Sequence, residues 1–261
     1  MSTFRTRAPG AFLVTGAASG FGRTFAGRLA GMGRDLVLWD RDAAGLERVR
    51  ASLTGRVHVH TDVVDVTDPD AVIAATTRAP GVAHVVHCAG ILRVGPAVDM
   101  SARDYAAMMQ VNYLGTVHVA TAWVPTLQKA ARGKKERSTL MLVASVAGLR
   151  GFPELAGYCA SKHAVIGFAQ ALADELSPAP LDVKVLCPPP GDTPMVRDLP
   201  KLPPVYKLSP MFSAEQVVDA ALRDLEKPGL IQLVDLRSKI TWRANRFLPG
   251  LVERVVRLSS R

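Results

Sequence analysis

Tyr158 and Lys162 lie four residues apart in Gly157-Tyr158-Cys159-Ala160-Ser161-Lys162, and Ser145 lies thirteen positions before the tyrosine. On a helix, that spacing puts phenol and ammonium on one face, one turn apart. A phenol titrates near 10 in water, too high for a base at neutral pH. A cation held beside it favours the phenolate and lowers that value, and a serine hydroxyl could bond the same substrate oxygen. The trio is therefore a candidate for moving a proton on and off an alcohol. A solvated lysine beside a half-buried tyrosine would give the same spacing, so the chemistry has to be sought in the rest of the chain.

The elements that would position such a group begin at Ala11-Phe12-Leu13-Val14, an apolar run that reads as a buried strand. Thr15-Gly16-Ala17-Ala18-Ser19-Gly20-Phe21-Gly22 follows at once, with an amphipathic helix starting around Gly20. A glycine-rich turn between strand and helix lets backbone N–H groups approach a pyrophosphate at the helix N-terminus. The spacing G-x-x-x-G-x-G departs from the commoner G-x-G-x-x-G, and glycines alone also mark ordinary turns. A second strand, Asp35–Trp39, ends at Asp40, eighteen residues beyond Gly22. A carboxylate there can accept from the adenosine ribose and repel a 2′-phosphate, which favours NAD over NADP. Asp40 could instead cap the next helix. Arg41 beside it could accommodate a phosphate if the aspartate turned away.

Further strands are expected near 57–61, 82–87, 138–144, 181–187 and 230–234, alternating with helical patterns. That rhythm predicts a doubly wound α/β fold of the Rossmann type, a parallel sheet between two helical layers. The 261 residues suit one domain spanning 1–261. Gly16, Asp40, Asp65, Gly90, Ser145 and Pro188 all fall just after an expected strand, so they would converge at one edge of the sheet.

Several of these motifs stand in register. Thr15-Gly16-x-x-x-Gly20-x-Gly22, Asp65, Ala89-Gly90, Asn112, Ser145 and the Tyr158/Lys162 pair resemble, in order and spacing, the short-chain dehydrogenase/reductase family over about residues 8–195. The resemblance implies an oxidoreductase that interconverts a secondary alcohol and a ketone with NAD, NADP being the lesser expectation. It makes Tyr158 the general acid/base, and Lys162 the group that lowers its pKa and binds the nicotinamide ribose. Ser145 would polarise the carbonyl. Asn112 would bend its helix around a water that relays protons to Lys162, unless it is simply a satisfied buried amide. Gly16, Ser19, Gly20, Phe21, Gly22, Asp40, Arg41, Asp65, Val66, Ala89, Gly90, Pro188 and Thr193 would complete the cofactor site, with Asp65-Val66 against adenine. Asp62 is a near neighbour, and Asp65 could merely cap a helix.

Two stretches depart from the family pattern. Asn-Asn-Ala-Gly is replaced by His87-Cys88-Ala89-Gly90, where His87 is expected to be a buried strand-end residue. Pro188-Pro189-Pro190-Gly191-Asp192-Thr193 puts a proline at the usual close-approach glycine and stiffens the loop. That loop resembles 3-ketosphinganine reductase-like members, so an NADPH-dependent reductase of a long-chain keto lipid is one alternative. A non-catalytic dinucleotide-binding protein is another. A substrate lid is expected over about 194–213, and its apolar residues suggest a hydrophobic substrate.

The formal charge of +9 and an isoelectric point near 9.8 raise nucleic acid as a partner, but the basic residues are dispersed and no nucleic-acid motif is recognisable. From about 237 to 261, arginines are interleaved with apolar residues, and Leu251, Val252, Val255 and Val256 share a helical face. Such a segment could lie on an anionic membrane surface or pack on its own domain or a partner subunit, and the packed form is the expectation. No apolar run of membrane-spanning length and no secretory leader is read in the sequence. Three cysteines without a C-x-x-C pair fit a reducing compartment, and no metal-ligand spacing is evident. The expectation is a cytoplasmic homodimer or homotetramer acting on a small-molecule alcohol or ketone.

Overall fold

The computed structural model describes residues 10–132, 137–177, 179–207, 210–250 and 253–254. Seven parallel strands form one sheet in the order β3-β2-β1-β4-β5-β6-β9, where β1 is Ala11–Thr15, β2 Leu36–Asp40, β3 Val59–Val63, β4 Val82–His87, β5 Ser138–Val143, β6 Leu181–Leu186 and β9 Ile231–Gln232. The two-residue strands β7 (Gly191–Asp192) and β8 (Phe212–Ser213) pair separately.

Alternation along each strand feeds two cores. Leu13, Val37, Val85, Leu140 and Val185 face one layer, built from α3 (Pro69–Arg78), α5 (Gly115–Ala131) and α6 (Ala156–Glu175) through residues such as Val72, Trp123 and Val165. Phe12, Val14, Leu38, Met141 and Leu186 face the other, built from α1 (Gly20–Gly31), α2 (Ala43–Leu53) and α9 (Ala214–Arg223) through Phe25, Leu46 and Val217. Burial on both faces explains why these strands read as apolar runs rather than simple alternation.

The third strand begins two residues later than the sequence suggests, because Leu36 N–H bonds the His58 carbonyl and Leu36 registers with Val59. The α2 and α3 starts are capped by Asp42, which accepts from Gly45 N–H, and Asp68, which accepts from Asp70 and Ala71 N–H. Neither Asp40 nor Asp65 is a cap. The chain reverses its direction of travel across the sheet between β1 and β4, which opens a crevice at their carboxyl ends.

Candidate active site

The glycine turn between β1 and α1 is packed so closely that side chains are excluded. Gly16 has φ +64°, and a Cβ there would sit 2.8 Å from the Ala89 nitrogen. A Cβ on Gly22 would be driven into the Gly16 carbonyl. Asp40 braces this turn from β2: one carboxylate oxygen accepts Ala18 N–H at 2.9 Å and the other accepts Asp42 N–H at 3.0 Å. Each oxygen keeps lone-pair capacity for a further donor. Arg41 is exposed beside it.

At the end of β4, Thr15 Oγ1 accepts from Cys88 N–H (3.2 Å) and Ala89 N–H (3.3 Å) and stands 2.8 Å from His87 Nδ1. His87 is buried, as expected of a strand-end residue, and burial pushes its pKa down to about 3. After β3, Asp65 is exposed and accepts from the Thr67 N–H and hydroxyl, whereas Asp62 is tied to His60 (2.9 Å) and Arg78 (3.1 Å). Val66 is buried, and its carbonyl lies 2.9 Å from His118 Nδ1.

Asn112 sits in a six-residue π-helical turn, Met109–Leu114, between α4 (Ala102–Met108) and α5. Its side chain is fully buried and fully used: Oδ1 accepts Ile91 N–H at 2.7 Å, and Nδ2 donates to the Ile91 carbonyl and to Ser161 Oγ, each at 2.9 Å. Thr116 donates to the Asn112 carbonyl at 2.6 Å. The Ser161 hydroxyl donates to the Tyr158 carbonyl at 2.8 Å. Asn112 thus ties the loop after β4 to the first turns of α6.

Tyr158 and Lys162 lie on α6, and both are buried. Lys162 Nζ is 5.8 Å from the Tyr158 ring centre and donates to the Val143 carbonyl at 2.8 Å. Burial lowers the Lys162 pKa to about 8. Burial raises that of Tyr158 to about 12, and a hydrogen bond with the Ser145 hydroxyl opposes the rise. This corrects the expectation drawn from the Tyr/Lys spacing. Burial strips water from the phenol and sets its value above that of a free one, where the spacing alone suggested a value below it. Ser145 Oγ accepts Ala147 N–H at 3.1 Å, which leaves the hydroxyl's own proton for another acceptor.

These groups open onto a cavity of about 380 Å³. Phe21, Gly90, Ser145, Tyr158, Lys162, Pro188 and Thr193 line it. Gly16, Ser19, Gly20, Gly22, Asp40, Arg41, Asp65, Val66, Ala89 and Asn112 do not; they lie in the turns beyond it or beneath its wall. All three consecutive prolines, Pro188–Pro190, face it, and the Pro188 carbonyl accepts Val146 N–H at 3.1 Å. The remaining walls are mostly apolar: Ile91, Leu92, Leu149, Phe152, Leu155 and Met195. Val205 and Tyr206 of the short helix α8 (Pro204–Lys207) also line it, after α7 (Pro194–Arg197).

Sequence reasoning missed the far wall. The helix α10 (Leu236–Phe247) contributes Arg237, Ile240, Thr241, Trp242, Ala244 and Asn245 to the cavity, and Trp242 packs on the core beneath. This part of the C-terminal segment packs on its own domain. The Leu251/Val252/Val255/Val256 face lies outside the described residues, as do the leader 1–9 and the basic stretch 133–136. Among the described residues no helix is long and apolar enough to cross a membrane.

Fold and site together define a Rossmann-type alcohol oxidoreductase, with a glycine cradle at the β1/β4 crevice and a Ser/Tyr/Lys cluster beside an apolar cavity. The family model described as short chain dehydrogenase matches residues 11–202. The chain belongs to the short-chain dehydrogenase/reductase family. It is 37% identical over 198 residues to a 1-deoxy-11-beta-hydroxypentalenate dehydrogenase of Streptomyces avermitilis, covering 73% of this chain and 72% of that one. It is 30% identical over 221 residues to the human estradiol 17-beta-dehydrogenase 11, covering 82% and 70%. A short-chain dehydrogenase/reductase from Burkholderia phymatum, solved with NAD, superposes with a TM-score of 0.83 at 25% identity over 96% of both chains. Other solved chains of this fold hold NADP or NADPH.

Proposed function

We propose that this chain interconverts a secondary alcohol and a ketone on a hydrophobic substrate, with Tyr158 as the proton-transferring group and NAD as the cofactor. The observation that carries the reading is the Tyr158 phenol, buried beside Ser145 in the wall of an apolar cavity that begins where the glycine cradle ends.

The cradle fits a dinucleotide, because Gly16 and Gly22 leave room for nothing but backbone and so bring amide N–H groups to the surface of the turn. Gly16, Ser19, Gly20, Phe21 and Gly22 would hold the pyrophosphate, Asp40 the adenosine ribose with Arg41 beside it, and Asp65-Val66 the adenine. Ala89, Gly90, Pro188 and Thr193 would flank the nicotinamide half, with Tyr158 and Lys162 toward its ribose. When bound, the nicotinamide supplies or accepts the hydride.

The residues do the rest. With its pKa near 12, Tyr158 is protonated at neutral pH and is set to donate to the oxygen of a ketone being reduced. Ser145, which accepts Ala147 N–H and keeps its own proton, donates to the same oxygen. Lys162 keeps its proton up to about pH 8, and its charge favours the phenolate as the proton leaves. Asn112 acts as the post that fixes Ile91 and Ser161. Asp40 carries the preference for NAD, since a carboxylate bracing the turn repels a 2′-phosphate.

The test is a screen of steroids, long-chain keto lipids and small alcohols with NAD and NADP, followed by Tyr158→Phe. We expect the variant to lose at least about a thousandfold in turnover while binding NAD within a few-fold of the wild type. Retained turnover would remove Tyr158 from the mechanism, and cofactor binding without turnover of any substrate by the wild type would favour a non-catalytic role.

A further inference from the structure

Among the described residues, the cavity walls carry three cations, Arg150, Lys162 and Arg237, and no aspartate or glutamate. Lys162 is engaged by the Val143 carbonyl beside Tyr158. Arg150 has no such duty. It lies five residues beyond Ser145, just after the 3₁₀ turn Val146–Gly148. Its Nη1 donates to Asn245 Oδ1 on α10 at 3.0 Å, while its Nε is buried with no hydrogen-bond partner among the described residues.

A guanidinium donor shut away from water without an acceptor is costly, and such groups are normally paired. The geometry says what is missing. Asn245 takes Nη1, leaving the edge formed by Nε and Nη2, which presents two parallel N–H groups. Elsewhere in this chain the same edge grips carboxylates: Arg28 holds Asp219 through Nε (2.7 Å) and Nη2 (3.1 Å), and Arg50 holds Glu47 through Nε (2.8 Å) and Nη2 (2.7 Å). For Arg150, no carboxylate of the protein takes that place among the described residues.

We propose that Arg150, steadied by Asn245 and assisted by Arg237, binds a carboxylate borne by the substrate, which is therefore an amphipathic keto or hydroxy acid with an apolar body. The body lies against Ile91, Leu149, Phe152 and Trp242, and the acid end meets the Nε–Nη2 edge. The inference rests on reading this cavity as the substrate site, and it deepens that reading by naming the substrate's charge. A purely apolar alcohol would leave the buried Arg150 Nε without an acceptor in the complex, so the site discriminates against it.

Trp242 in the cavity wall provides a readout that needs no turnover and no cofactor. Tryptophan fluorescence is titrated with decanoate and with decanol, two probes of equal length that differ in charge. The wild type should bind decanoate at least tenfold more tightly. Arg150→Gln should lose at least tenfold for decanoate and less than twofold for decanol, whose retained binding shows an intact fold. Asn245→Ala, which keeps the guanidinium, should retain a preference for decanoate. Equal affinity of the wild type for both probes, an unchanged preference in Arg150→Gln, or equal loss of both probes would each overturn the proposal. Displacement of decanoate by ADP would also overturn it, by showing that the anion occupies the dinucleotide's place. Because turnover does not enter, these outcomes are separate from the fate of Tyr158→Phe.

Discussion

Thr15 Oγ1 already accepts two amide protons, from Cys88 and Ala89, so its own proton must go to His87 Nδ1. That choice makes His87 the Nε2–H tautomer and keeps it neutral. Burial disfavours a charged ring, and the nearby Lys162 charge adds to this, which explains a pKa pushed down to about 3. The consequence for stability has a definite sign. Below about pH 6.5 an unfolded histidine takes up a proton that the folded one refuses, so stability is lost as pH falls from 6.5 toward 3. The loss approaches about 1.4 kcal/mol per pH unit for one such group. Urea unfolding at pH 7 and pH 4.5 should therefore show a steeper loss for the wild type than for His87→Gln. Parallel pH profiles would mean that His87 takes up a proton in the folded state. The residue scale was only partly legible in sequence: Tyr158, Lys162 and Ser145 announce themselves by type and spacing. The value of the Tyr158 pKa depends on how much water the fold removes, which spacing does not encode.

Between α4 and α5 the π-helical turn is the element that turns a local sequence into a site. By displacing one stretch of the helix it lets Asn112 reach both sides, to the loop after β4 and to α6, while Gly115 lies against Val66 of the β3 loop. Removing the amide would leave the Ile91 N–H and carbonyl, both part-buried, without their partner. Asn112→Ala should accordingly cost about 2–5 kcal/mol of unfolding free energy. Turnover should fall and the Michaelis constant rise, because the bonds hold both Ile91 in the cavity wall and the Tyr158/Lys162 turn. A change under about 0.5 kcal/mol, with kinetics intact, would show that the three bonds position nothing. Elements of this kind divide into the legible and the illegible for physical reasons. Apolar runs such as Ala11–Val14 and Leu140–Val143 mark doubly buried strands without ambiguity. The start of β3 was not marked, since Val57, Val59 and Val63 alternate equally well in either window and only pairing with β2 selects one. Two-residue strands such as Gly191–Asp192 are too short to carry any period.

Across the whole molecule, the proposed site draws on both halves of the sheet. The glycine turn, Asp40 and Asp65 come from β1–β3, and Gly90, Ser145, Tyr158 and Pro188 come from β4–β6 and the elements that follow them. Parallel topology made this convergence legible, because every carboxyl strand end faces the same way. It could not announce Arg150 meeting Asn245, a contact across 95 residues that no pattern in either segment predicts. A dinucleotide bridging both halves would bind the folded chain and not the unfolded one, so its affinity must appear as stability. At a hundred times its dissociation constant the gain is about 2.7 kcal/mol, which for a domain of this size raises the melting temperature by roughly 5–10 °C. NAD should produce this shift, and NADP at the same concentration should produce a smaller one. The role of Asp40 then separates from its structural duty. Asp40→Ala loses the braces to Ala18 and Asp42 and should melt earlier with no ligand present, so the informative quantity is the gap between the two cofactor shifts, each taken from the variant's own baseline. That gap should narrow or reverse. An unchanged gap would assign the selectivity to another part of the turn, and no shift with either cofactor would leave the cradle between β1 and α1 without its proposed occupant.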